Sequence, residues 1–273
     1  MIRRILVPVD FSEVSENALS YAEGLARHID ATALKVVHIF TPQTTADAIS
    51  IPPVNRLMEE RQRVFDEFLA ERQSDTGPDH QGEILIGFAA EEIIQLSPNY
   101  DLVVMGTTGD NDLLEQVFGS VSSSVAQKAE CPVLLIPNGA NFREFKNLIY
   151  ASNNISLSRR AVLKLMDFNE LFHAMVHFVH VIVDDKSDYL EERDRLFAPL
   201  LNNPNPEFQF NINELEAESL HDGLNQFIEE HPVDMAIMVT KQRGFWARLF
   251  HRSAAKELTF NTQIPLMVFH LED

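Results

Sequence analysis

A chain of 273 residues, 45% of them hydrophobic, has room for about two domains of ordinary size, each with a sizeable core. Its 41 acidic residues against 22 basic ones give a formal charge of -19, which repels polyanions at long range and excludes nucleic acid and anionic membranes as partners. One cysteine, Cys131, excludes an intrachain disulfide framework and any Cys-x-x-Cys metal knuckle, in keeping with a reducing compartment, and the expected location is cytoplasmic. The start, Met1 to Asp10, is basic but too briefly apolar to read as a signal peptide, and no apolar stretch approaches the ~18 residues of a membrane span.

In chain order, Ile5 to Val9 is the first short apolar run and reads as a strand ending at Asp10. Ser12 is the expected N-cap of a helix whose apolar face is Ala18, Leu19, Ala22, Leu25, Ala26 and Ile29. A strand over Leu34 to Phe40 follows, with His38 inside it, then a helix traced by Leu57, Met58, Arg61, Val64, Phe65, Phe68 and Leu69. Further strands are expected over Glu83 to Ile86, Leu102 to Met105 and Val133 to Ile136. Apolar strands alternating with helices predict a parallel sheet covered on both faces, with ligands at the carboxyl ends of the strands beside a topological switch point. Asp10, Ile39 and Gly106 lie at or just beyond such ends.

Gly106, Gly109, Gly119 and Ser120 follow the fourth of these strands in the spacing G-x2-G-x9-G-S. With 10 glycines in the chain, that spacing arises by chance only about 0.01 times. Glycines at a strand end, and a Gly-Ser opening a helix, bring backbone N–H groups and the positive end of a helix dipole to an anion, usually phosphate. The plain alternative is a glycine-rich turn without a ligand. Asp10, an acceptor only when ionised, belongs at the nucleoside end of such a ligand, or else caps the helix after it. Ser120 and Ser122 offer hydroxyls to phosphate, or are ordinary capping residues.

The pattern then recurs. Ile5 to Asp10 falls on Leu148 to Asn153, Asp101 to Met105 on Asp234 to Met238, Pro132 to Ile136 on Pro265 to Phe269, and His38 on His180. Two copies of one domain are predicted, residues 1–138 and 146–273, joined by a linker rich in Asn, Gly and charge from Asn138 to Lys146. The second copy has Val239, Gln242 and Arg252 in place of the three glycines and Asn153 in place of Asp10, so its site is expected to be dead. Lys241 to Arg252 is a basic, aromatic run in an acidic chain, which docks on the other domain or a second subunit, reaches an anionic ligand, or is a surface loop.

These residues resemble the universal stress protein family in its tandem two-domain form. The resemblance covers nearly the whole chain and is carried by Pro8-Val9-Asp10-Phe11-Ser12, by His38, and by G-x2-G-x9-G-S before a helix and a Cys-Pro strand. It implies an α/β fold of two tandem Rossmann-like domains, each a mostly five-stranded parallel sheet with helices on both faces, forming an intrachain pseudo-dimer, with a homodimer also open. It implies ATP, or ADP or AMP, with Mg²⁺, in the first domain only. Pro8, Val9, Asp10 and Ile39 would surround adenine and ribose, with Met105 and Gly106 beneath; Gly109, Gly119, Ser120, Val121 and Ser122 would hold the phosphates. Thr108 stands where many relatives carry a His.

No acid, base and nucleophile constellation emerges, so catalysis has no sequence warrant. His173, His177 and His180 have metal-like spacing, but the repeat places them in or beside a strand, where packing explains them. Cys131 matches Ile264 and reads as a small buried hydrophobe. The expected function is that of an adenine-nucleotide-binding regulatory protein of the stress-response type. The alternatives are an interaction scaffold with an empty glycine loop, or a weak ATPase whose phosphate cradle and divalent ion permit slow hydrolysis.

Overall fold

Ile5, Leu6 and Val7 are all fully buried, although successive residues of a strand point to opposite faces of a sheet. Such a strand needs cover on both sides, and the chain supplies it by alternating strands with amphipathic helices. The computed structural model describes residues 2–31, 33–41, 54–72, 78–107, 119–152, 159–182, 209–218, 220–240 and 264–270. In order these form β1 (Arg4–Val9), α1 (Glu13–His28), β2 (Ala33–Phe40), α2 (Val54–Arg72), β3 (Asp79–Ile86), α3 (Ala89–Leu96), β4 (Leu102–Gly106), α4 (Ser120–Lys128) and β5 (Val133–Ile136). They continue as β6 (Asn147–Ser152), α5 (Arg159–Asn169), β7 (Met175–Ile182), β8 (Phe210–Glu216), α6 (Leu220–Glu230), β9 (Met235–Thr240) and β10 (Leu266–His270).

The strands make one sheet in the order β3-β2-β1-β4-β5-β10-β9-β6-β7-β8. The pairings on either side of the middle are parallel, and β5 meets β10 antiparallel, with Leu266 opposite Leu135 and Val268 opposite Val133. One face carries a core of Ile5, Val7 and Leu34 under Leu19, Phe65 and Phe168 from α1, α2 and α5. The other carries Leu6, Val37 and Val103 under Ile93, Val125 and Phe227 from α3, α4 and α6. Each core runs through both halves of the sheet.

The two registers found in the sequence meet at matching contacts. Asp101 Oδ2 accepts from the N–H groups of Arg3 and Arg4 at 3.0 and 2.8 Å, and Asp234 Oδ2 accepts from those of Lys146 and Asn147 at 2.7 and 2.8 Å. Both carboxylates tie the start of a central strand to the strand beside it. Asp30 and His173, in the turns after α1 and α5, both take the left-handed conformation, with φ of 54° and 53°. His177 and His180 lie on β7, as the repeat predicts, and His177 Nε2 lies 3.3 Å from Asn147 Oδ1.

The stretch expected to be a linker is different in kind. Residues 137–146 form neither helix nor strand, but Phe145 is 1% exposed and packs 4.6 Å from Phe172 and 5.7 Å from Phe142, ring centre to ring centre. Phe142 also meets Tyr21 edge-on at 5.4 Å. A Cβ on Gly24 would stand 2.8 Å from that of Phe142, so α1 needs a glycine where the segment crosses it. The polar residues that suggested a tether cover an aromatic wedge between the two halves.

Candidate functional site

β1 pairs with β2 on one side and β4 on the other, so successive connections leave it in opposite directions and open a crevice at the carboxyl ends of the strands. A cavity of about 420 Å³ lies there, within the range of about 300–1,000 Å³ usual for small-molecule and cofactor sites. On the β2 side its wall is apolar, made by Val37 and Ile39 with Ala89 and Ile93 of α3. Pro8, Val9 and Asp10 enter from the end of β1, and Met105, Gly106 and Thr107 from the end of β4. Gly119, Ser120, Val121 and Ser122 close it at the start of α4. Of the site residues expected from sequence, only Thr108 and Gly109 are not among these; both lie outside the described residues. Sequence reasoning missed Val37, which the two-residue period of a strand places on the same face as Ile39. It also missed Ala89 and Ile93, one helical turn apart on a helix it did not trace.

Ser12, not Asp10, caps α1, and Asp10 braces that cap. Its Oδ1 accepts from Ser12 N at 3.1 Å and Ser12 Oγ at 2.6 Å, while Ser12 Oγ accepts from Ser15 N at 3.2 Å as the N-cap of α1. Oδ2 takes no part in these bonds. Burial pushes the Asp10 carboxyl up, but the hydrogen bonds from Ser12 and Ser15 outweigh it and hold the group below the ordinary carboxylate range. Asp10 is therefore ionised at neutral pH.

α4 begins at Gly119, which as N-cap offers no side chain to its helix. The first-turn N–H groups have no intrahelical acceptors, and no acidic residue occupies that turn. The bare, positive end of a helix dipole therefore opens on the cavity. Ser120 is exposed there, but Ser122 is not placed as expected. Its buried Oγ donates to Thr107 O at 2.6 Å, the same carbonyl that accepts from Gly119 N at 2.6 Å. The hydroxyl expected on phosphate is committed to a clasp joining the ends of 107–119.

Gly106 also has a packing reason beside the expected one. Among the described residues the only glycine with positive φ is Gly139, so Gly106 is not needed for a left-handed turn. A Cβ there would stand 2.5 Å from Val14 Cγ1 and 3.0 Å from Val14 O, so the glycine lets α1 lie against the end of β4. Gly106→Ala is accordingly expected to cost about 1–3 kcal/mol through overpacking. Thermal denaturation checks this; an unchanged Tm would mean that α1 yields without strain.

Cys131 is buried and its thiol is pushed up to about 12 by burial, which fits a packing role. Among the described residues no group of three or more His, Cys, Asp or Glu is placed to hold a metal ion, and no helix is long and apolar enough to cross a membrane.

An open α/β sheet with a crevice at its switch point, floored by strand ends and closed by an uncapped helix, is thus the class of structure at hand. The model of the universal stress protein family matches residues 1–137, and the chain belongs to that family. The universal stress protein MJ0531 of Methanocaldococcus jannaschii is 30% identical over 140 residues, covering 50% of this chain and 82% of its own length. A universal stress protein of Thermus aquaticus is 32% identical over 139 residues, covering 50% of this chain and 99% of its own. A universal stress protein of Archaeoglobus fulgidus shares the fold over 99% of this chain and 97% of its own, with a TM-score of 0.73 at 19% identity.

Proposed function

We propose that the protein is an adenine-nucleotide-binding regulator of the stress-response type, holding ATP, or ADP or AMP, in the cavity of its first half. One observation carries this reading: an uncapped helix N-terminus, an ionised carboxylate and an apolar wall converge on one cavity of nucleotide-compatible size. The start of α4 suits phosphate, the apolar residues of β2 and α3 suit a base, and Asp10 Oδ2 suits a ribose hydroxyl or an exocyclic amine. Among the described lining residues Asp10 is the only titratable group, and Mg²⁺ would arrive with the phosphates. Residues 1–138 and 146–273 are read as tandem domains that form a pseudo-dimer within the chain, with the nucleotide in the first.

ATP with Mg²⁺ is expected to raise the melting temperature of nucleotide-free protein, since a ligand bound only to the folded state adds RT ln(1 + [L]/Kd), about 2.7 kcal/mol at a hundredfold excess over Kd. GTP should raise it less. Mass spectrometry of nucleotide released from the purified protein identifies the ligand. No shift with millimolar ATP would favour an interaction scaffold instead.

A further inference from the structure

We propose that His38 is a positioning residue: its neutral imidazole holds the bend that presents Asp10, and its protonation releases that bend, so that affinity for the nucleotide falls on mild acidification. The affinity part rests on the nucleotide reading above, whereas the bend does not.

The register of β1 and β2 sets His38 beside Val9. His38 is buried, and its Nδ1 lies 2.9 Å from Val9 O, the carbonyl of the peptide bond that joins Val9 to Asp10. Nδ1–H is therefore the donor. Nε2 is left as an acceptor, and Arg61 Nη1 of α2 faces it at 3.4 Å. These partners assign the tautomer.

Immediately after Asp10 the chain does something an aromatic residue seldom does. Phe11 has φ of 64°, in the left-handed region, which disfavours a non-glycine residue. What holds it there is its ring, which lies 4.5 Å from the His38 ring and edge-on to Phe68 at 5.3 Å and Phe65 at 6.2 Å. Phe11 thus joins the α2 side of the sheet, while the residue before it lines the cavity. His38 touches both parts of this bend, by a hydrogen bond behind it and a ring contact ahead of it.

A second proton on His38 has nowhere favourable to go. At Nε2 it would set donor against donor and cation against cation, with Arg61 already held over the Phe40 ring at 5.0 Å. β3 places Ile84 beside His38 and offers no countercharge. Among the described residues Asp10 is the one facing carboxylate, and its Oδ1 is engaged by Ser12. Burial, and then Arg61, hold the imidazole below its ordinary value against the Val9 and Asp10 contributions. The neutral form is favoured in the folded state, so this contribution is full above the unfolded value of about 6.5 and is lost as pH falls from there through the lower folded value.

The test compares wild type with His38→Asn, whose amide donates to Val9 O as Nδ1–H does but does not ionise. Hydrogen-exchange protection of the Ser12 amide, read without ligand at pH 7.5 and 5.5, should fall in wild type by up to about tenfold and stay level in His38→Asn. The ratio of the two proteins' Kd values for ATP with Mg²⁺, which cancels titration of the nucleotide itself, should move in the same sense. Identical pH courses in the two proteins overturn the proposal. Protection that depends on pH only in wild type, with no ATP bound at either pH, upholds the bend and overturns the nucleotide reading together with the affinity claim. Should His38→Asn not fold, Arg61→Met takes its place: without the opposing cation, the wild-type midpoint must move to higher pH, and an unmoved midpoint overturns the proposal.

Discussion

Gly119→Asp is expected to weaken ATP binding by at least about 100-fold while the nucleotide-free protein melts at or slightly above the wild-type temperature. Gly119 has φ of -66° and ψ of 163°, an extended N-cap conformation open to any residue. An aspartate there is a good cap, so its carboxylate takes the N–H groups of Val121 and Ser122 that the phosphates would otherwise use, and adds repulsion. Two hydrogen bonds to a charged group, at about 1.5–3 kcal/mol each, correspond to a hundredfold or more, since each 1.4 kcal/mol is a factor of ten. Calorimetry of binding and of unfolding separates the two effects. The same titration counts sites: wild type should take one nucleotide per chain, because Val239, Gln242 and Arg252 stand where the first half has its three glycines. If Gly119→Asp leaves binding of one nucleotide with wild-type affinity, a second site exists and the assignment is wrong.

The largest loss of stability is expected from Phe145→Ala, about 3–5 kcal/mol, because the ring is almost fully buried and its removal leaves a cavity among Phe142, Phe168 and Phe172. For a chain of this size that is on the order of a 10 °C fall in Tm. The fall should appear as a displacement of one cooperative transition, since the same core contains Ile5 and Leu34 from the first half and Leu148 and Val176 from the second. Two separate transitions in the calorimeter would mean that the halves unfold independently and that the wedge is incidental.

Local signals were legible where burial and periodicity agreed. β5 runs over Val133–Ile136, the span its apolar run predicts, and Ser12 caps α1 as its side chain and position suggest. β3 begins at Asp79 rather than Glu83 because its first residues are polar, and parallel pairing with β2, Ala33 beside Asp79, extends it beyond its own apolar pattern. The glycine spacing pointed to a crevice that the structure has, but it does not contain the packing reason for Gly106. Gly106 answers to Val14, a residue far away in sequence, and no spacing rule contains that contact. Ser122 stayed open between phosphate and capping for a similar reason, since the carbonyl that takes its proton belongs to Thr107, far from it in the helix pattern. The left-handed bend at Phe11 left no trace in the sequence, because a ring packed on His38 sustains it where a glycine would have announced it.

The seam between β5 and β10 is registered over only three residue pairs. Between separate molecules such pairing would depend on concentration. Joined through residues 137–146 in one chain, the same strands meet within the molecule, and their pairing no longer depends on how much protein is present. Such a molecule cannot report by exchanging partners across that edge. On the proposed tandem reading, a substitution in one half is not copied into the other as it would be in a symmetric dimer, so Asp10 can stand in one where the other has Asn153.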